Sequence, residues 1–205
     1  CWKSNKPMPR TMKKTNDDTR RDTVYKVKKT KKYLDSIDAK GNKFKIQKLI
    51  TGYTYRNSSE KKSFGYDGLL NLGSLSFNTV QGWNFDSGFS FTNWNSDEKG
   101  KYTAINTKFN YGFAEDRLRI SGKFSHRFNN QNYATVSVSG GSKVNQFNDS
   151  NPISAFLNSI SSLYFKNNFM KLYNLEFAQI NYSQDVFNGI NLNGKLEYQQ
   201  RKPLF

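Results

Sequence analysis

The chain has 205 residues and a formal net charge of +16, and it carries 17 Phe, 12 Tyr and 3 Trp at a mean hydropathy of −0.83. No run of 18 apolar residues exists, which excludes a helical membrane protein. The aromatic content argues against a disordered tail, and the single cysteine excludes a disulfide scaffold.

The charge divides the chain. Residues 1–62 hold 19 Lys+Arg and 6 Asp+Glu, net +13, whereas the remainder is net +3. A basic head therefore precedes a nearly neutral body, and the global number describes neither.

The chain opens on Cys1 with no apolar leader behind it, which reads as an internal start; a lipidated Cys1 is the other reading. Trp2 to Arg21 is polar and contains Pro7 and Pro9, so an extended or irregular path is expected. Residues 22–39 read as a helix. Asp22 caps it, Val24, Val27, Leu34 and Ile37 fall near one face, and Gly41 ends it. Lys28, Lys29, Lys31 and Lys32 occupy the opposite face. That face suits an anionic surface, or it is the solvated side of a connector. The thin apolar stripe, with Thr30 and Lys31 where another anchor belongs, favours the connector. Residues 1–45 are accordingly expected to be a basic connector, periplasmic if the body that follows is an outer-membrane barrel. From Ile46 to Asn57 the pattern of Ile46, Ile50, Tyr53 and Tyr55 predicts a strand.

The body alternates with a period of two. Trp83, Phe85, Phe89 and Phe91 interleave with Asn84, Asp86, Ser90 and Thr92; Ile105 to Phe113 interleaves with Ala104 to Gly112. Leu118, Ile120, Phe124, His126 and Phe128 interleave with Arg117, Arg119, Lys123, Ser125 and Arg127. Residues 134–140, 178–186 and 190–198 continue in the same way. Such segments are strands with one apolar and one polar face. Short polar turns at 114–117 and 129–132 join them as antiparallel hairpins, and Asn188-Gly189 predicts a type I′ turn.

The expected fold is all-β: an antiparallel up-and-down meander over residues 46–205 forming part of a transmembrane β-barrel, with about seven or eight strands. The segments approach the 9–11 residues that cross a bilayer, and their apolar faces favour aromatics, as lipid-facing girdles do. Lipid-facing candidates are Trp83, Phe85, Phe89, Phe91, Phe113, Phe124, Phe128 and Tyr198. Lumen-lining candidates are Asp86, Arg119, Lys123, Arg127 and Lys195. The link from Gln146 to Leu175 breaks the period. Asn151-Pro152 starts a helix there, with Ile153, Phe156, Leu157 and Ile160 at helical spacing. It either gates the barrel mouth or packs on its rim. Arg201 to Phe205 stops without a turn partner and reads as a truncation point.

No catalytic constellation is present. His126 lacks partners with ligand spacing, no Ser-His-Asp order, Walker loop or GxGxxG occurs, and Gly140-Gly141 opens no helix. The paired acids Asp97-Glu98 and Glu115-Asp116 sit in turns, as solvating residues do. No enzyme activity, cofactor or metal is expected. The rival reading is a soluble basic sheet that stacks nucleic-acid bases, which needs aromatics and cations on one face. Residues 117–128 put them on opposite faces, so no nucleic-acid partner is expected.

Trp2 to Pro9, Tyr33 to Lys43, Leu49 to Tyr53, Phe77 to Asn84, Asn132 to Thr135, Asn151 to Ser154, Leu157 to Ile160, Asn168 to Tyr173 and Arg201 to Phe205 resemble an uncharacterised family of Gram-negative bacteria. It is a domain of unknown function that follows a carboxypeptidase-regulatory-like domain. More distantly the chain is similar to TonB-dependent receptor barrels. The resemblance implies an outer-membrane location, with lipid, the remainder of the barrel and an upstream periplasmic domain as partners. The family has no established reaction or substrate, so the resemblance supplies location more than mechanism; the function expected of such a barrel is solute passage or a surface scaffold, without catalysis.

Overall fold

The computed structural model describes residues 12–69, 74–94, 100–129, 131–147 and 153–204. Cys1, the segment with Pro7 and Pro9, Asp97-Glu98, the Asn151-Pro152 start and Phe205 lie outside them.

The head is helical earlier than its composition predicts. α1 spans Met12–Lys28 and α2 spans Lys31–Gly41, so Asp22 lies inside a helix instead of capping one. The chain breaks at Thr30, whose hydroxyl accepts from the Tyr33 backbone N–H at 3.4 Å. Thr30 is thus the N-cap of α2 and the thin point of the apolar stripe at once. Gln47–Thr51 forms a short helix, α3, where a strand was expected. The strand β1 starts only at Tyr53 and ends at Asn57.

Eight further strands follow: β2 Lys62–Tyr66, β3 Leu75–Asn78, β4 Gly82–Trp94, β5 Tyr102–Gly112, β6 Arg117–Arg127, β7 Thr135–Gln146, β8 Leu172–Phe187 and β9 Ile190–Leu204. They form one antiparallel sheet in the order β1-β2-β4-β5-β6-β7-β8-β9. β2 pairs with the second half of β4 and β3 with its first half. The meander is therefore as the alternation predicts, with nine strands among the described residues and not seven or eight. The two added strands, β2 and β3, are only 5 and 4 residues long; such short segments carry too few alternations to be seen in sequence. β9 also runs on past Gln199, where the alternation ends, and pairs with β8 as far as Leu172↔Leu204.

The β8–β9 connection is the two-residue loop expected at Asn188-Gly189, but of the pair only Gly189 has a positive φ (83°). A type I′ turn needs two such residues. The strand twist is instead matched by a bulge between Asp185 and Phe187.

Burial is inverted relative to an ordinary soluble sheet. Among the described residues, the buried apolar set is Ala104, Ala134, Leu172, Tyr173 and Leu175. The buried polar set is larger and includes Ser76, Asn78, Gln81, Asn84, Arg119, Ser125, Asn158 and Asn174. Trp83, Phe89, Phe124, Phe128, Ile180, Leu196 and Tyr198 are all exposed. The helix α4, Ala155–Phe165, is inverted too. Asn158, Ser159 and Ser162 are buried while Phe156, Leu157, Ile160 and Leu163 face outward. Its N-cap is Ser154, which accepts from Leu157 N–H.

Gly141 bends the sheet. β6–β7 pairing stops at Ser121↔Gly141, leaving residues 117–120 and 142–146 apart. Gly141 has φ +127°, and a Cβ there would lie 2.2 Å from the Ile120 carbonyl oxygen. By alternation Ser142, Asn174 and Glu176 share a face with the exposed Val138 and Ile180. Beyond Gly141 that face turns over the polar face of β5 and β6. Arg119 Nε then donates to Asn174 Oδ1 at 2.7 Å, and Ser142 Oγ donates to the same oxygen at 3.1 Å.

Candidate functional site

The register settles how the predicted residues sit. Asp86 pairs with Asn110 and Asn110 with Arg119, so all three share one face. Lys123, across from Asn106 and Ser139, and Arg127, across from Tyr102 and Thr135, share it too. Lys195 pairs with Asn181, which pairs with Ser137 and through it Ser125. All five lumen candidates therefore occupy the polar face. They do not form one cluster. Arg119 is buried, Lys123 and Lys195 are exposed, and Lys195 pairs with Glu197 two residues along its own strand. Arg127 lies over the rings of Tyr102 and Tyr133, at 5.0 and 5.2 Å.

The opposite face is aromatic. Phe89 stacks on Phe64 and Tyr66 and meets Phe109 edge-on, with centroids 5.9, 5.3 and 5.7 Å away. Trp83 packs edge-on to Phe77, and Phe128 stacks on Tyr182. Phe85 pairs with Tyr111, Phe91 with Phe64 and Ile105, Phe124 with Ile105 and Val138, and Tyr198 with Ala178. Phe113, just past β5, donates its backbone N–H to the Trp83 carbonyl at 2.9 Å. His126 sits on this face as predicted, with Nδ1 2.9 Å from Thr103 Oγ1.

On the polar face a cavity of about 290 Å³ opens between the first half of β4–β6 and the turned end of β7. β3 and the start of α4 close one side. Its wall is a chain of amides. Asn78 Nδ2 donates to Gln81 Oε1 at 3.1 Å, Gln81 Nε2 to Asn110 Oδ1 at 2.8 Å, and Asn110 Nδ2 to Asp86 Oδ1 at 2.9 Å. Ser76 Oγ donates to Asn84 Oδ1 at 2.7 Å. The Asn78 side chain also accepts from the Val80 and Gln81 backbone N–H groups, which holds the β3–β4 turn.

Arg119 is the centre of the site. Its side chain is fully buried, and Nη2 lies 2.6 Å from Glu115 Oε2. Removing a guanidinium from water costs several kcal/mol, which is recovered only when charge and hydrogen bonds are both matched. The match here is partial. Nε has Asn174 and Nη2 has the charge of Glu115, but Nη1 has no acceptor among the described residues, and the Nη2–Glu115 approach is too poorly angled for a hydrogen bond. Asn84 Nδ2 is likewise buried without an acceptor. Glu115 is thus not the solvating turn acid its position suggests, and Asp116 accepts from the Tyr111 hydroxyl. The turn spacing gave no hint of this, because the i,i+4 pair straddles a turn and a strand.

The loop helix borders the cavity and also ties to β3. Ser159 Oγ accepts from the Phe77 backbone N–H at 2.8 Å, and Asn168 Nδ2 donates to Thr79 Oγ1 at 2.6 Å. Ile153 is half-buried, and its carbonyl accepts from Gln146 Nε2. The expected stripe of Phe156, Leu157 and Ile160 faces outward and does not line the cavity; the helix docks by its polar side.

A second, shallower recess lies at the other end of the sheet and includes His126, Lys62 and Glu60. Glu60 pairs with Lys62 at 2.9 Å, and that hydrogen bond holds its carboxyl below the ordinary value. No group of three metal-ligating side chains occurs among the described residues, and none of their helices is long and apolar enough to cross a membrane.

Comparison with curated proteins and with solved structures returns no match. A family model does match, over residues 47–205, and it is the C-terminal domain of a family of unknown function, DUF5686. The match covers the whole sheet and the loop helix, and the chain belongs to that family.

Proposed function

We propose that this sheet is part of an outer-membrane β-barrel with a non-enzymatic role in solute passage or as a surface scaffold. The observation that carries the reading is the inversion of burial. A sheet that puts Arg119, Asn84 and Asn174 inside and Trp83, Phe89 and Phe124 outside is unfavourable in water, because large aromatic surface stays hydrated. The same arrangement is favourable when the outer face meets lipid and the inner face meets water. Strand length supports it. β4 to β9 run 13, 11, 11, 12, 16 and 15 residues, and about 9–11 tilted residues cross the hydrocarbon layer.

β9 supports a partner in its own barrel. Its residues 190–203 are all exposed and its outer edge is unpaired among the described residues. A free edge of that length is a template for a further strand. α1 and α2 serve as the connector towards an upstream periplasmic domain.

Cell fractionation with heat-modifiable gel mobility tests the location. Recovery in the outer-membrane fraction, with a band that shifts on boiling, is expected; a soluble product overturns it. Planar-bilayer conductance then separates passage from scaffold. Conductance assigns passage, and its absence in correctly folded protein assigns scaffold.

A further inference from the structure

We infer that the cavity around Arg119 and Asn84 binds an oxyanion, a carboxylate or phosphate group carried by a small soluble ligand.

Buried donors in folded proteins are almost always paired, and each exception asks for a cause. Here three such donors belong to residues that line one cavity: Arg119 Nη1, Arg119 Nη2 beside the Glu115 carboxylate, and Asn84 Nδ2. Neither side chain is at liberty to turn away. Arg119 is held at Nε by Asn174 and beside Glu115 at Nη2, which leaves Nη1 as the unused arm of the fork. Asn84 is held at Oδ1 by the Ser76 hydroxyl, which leaves its NH₂ as the unused end.

The charge of the lining points the same way. Lys108 and Lys143 join Arg119 on the cavity wall, against a single carboxylate, Asp86, one of whose oxygens is already engaged by Asn110. Arg119 is matched in charge by Glu115, so Lys108 and Lys143 against Asp86 leave the site net positive, which favours an incoming anion. A planar guanidinium arm beside an amide donor suits the paired oxygens of a carboxylate or phosphate.

The inference rests on the reading of the polar face as the solute side of the sheet, so its test monitors that reading separately. The full chain is folded in detergent micelles, and heat-modifiable mobility confirms the barrel-like state of each sample. Isothermal titration at low ionic strength then uses inorganic phosphate, with acetate as competitor. Saturable phosphate binding that acetate displaces is expected. Asn84→Asp and Lys108→Gln leave the Arg119–Glu115 pair intact, and each weakens binding by about tenfold, the scale of one lost charge-assisted hydrogen bond. No saturable binding in heat-modifiable protein overturns the site, as does an affinity unchanged from the parent chain in both variants. Displacement of phosphate by micellar phosphatidylglycerol overturns the soluble ligand in favour of a lipid headgroup.

Discussion

The side-chain amide of Asn42 bonds both backbone groups of Arg56. Nδ2 donates to the carbonyl at 2.6 Å and Oδ1 accepts from the N–H at 2.9 Å. One residue past α2 thus does at the edge of β1 what a neighbouring strand would do. Asp38 continues the seal by accepting from the backbone and hydroxyl of Ser58, and the Tyr53 hydroxyl donates to the Asn42 carbonyl. Exposed strand edges invite pairing with other chains, so the two edges of this sheet differ: β1 is covered by its own head, and β9 is open.

Asn42→Ala removes both edge bonds. At about 0.5–1.5 kcal/mol each, a loss of about 1–3 kcal/mol is expected in urea titrations of the detergent-folded chain. Light scattering should rise with it, because the uncovered Arg56 groups become a pairing site. Unchanged stability and scattering would show that the cap is incidental.

Gly141→Ala tests the bend. The added Cβ meets backbone atoms of Ile120 and Ser121 at 2.2 and 2.7 Å, and the φ of +127° is foreign to residues with a side chain. Strain of this type costs about 1–3 kcal/mol per residue, and here backbone cannot yield as a flexible side chain would. The variant should lose at least that much stability. Gly122→Ala is the control, because its nearest atom is 3.9 Å away. Comparable losses in both would remove the special role of Gly141.

Arg119→Ala should cost about 3–5 kcal/mol, because Glu115 is left as an uncompensated, largely buried charge. The double variant Arg119→Leu with Glu115→Leu should recover most of that loss. A double-mutant cycle measures the coupling, and additive losses would mean that the 2.6 Å approach contributes little.

The long strands were legible because β4, β5 and β6 repeat the alternation five or six times with aromatics on one side. The head was less so. Residues 12–21 form a helix with few apolar residues, so periodicity had nothing to read there, and Ile46 and Ile50 have a spacing of four that fits α3 as well as it fits a strand. The members of the polar face were legible too, since Asp86, Arg119, Lys123, Arg127 and Lys195 follow from strict alternation. Their grouping was not. Asn174 and Ser142 belong to the aromatic register and reach Arg119 only because Gly141 turns the sheet. A fold-back of this kind is a tertiary event, and the glycine pair that permits it reads in sequence as one more flexible spot. For α4 the apolar stripe is legible but not its outward direction, since spacing shows that a helix has two faces without showing which solvent each will meet.

The face assignment yields the sharpest test of the membrane reading. Phe124 and Lys123 are neighbours in β6 and point to opposite faces, Phe124 opposite Ile105 and Val138, Lys123 opposite Asn106 and Ser139. Both are exposed. In water, charge at an exposed position costs little, so Phe124→Arg in a soluble sheet should change stability by no more than about 0.5 kcal/mol, the usual range for a surface substitution. In a lipid-facing strand the same change costs about 2–4 kcal/mol near the bilayer midplane. Lys123→Gln should be near neutral in either case, because that face is wet in both. Folding titrations into phospholipid vesicles therefore should show a large loss for Phe124→Arg and almost none for Lys123→Gln. If Phe124→Arg folds as well as the parent chain, the aromatic face does not meet lipid, and the inverted burial would need a protein surface to cover it instead.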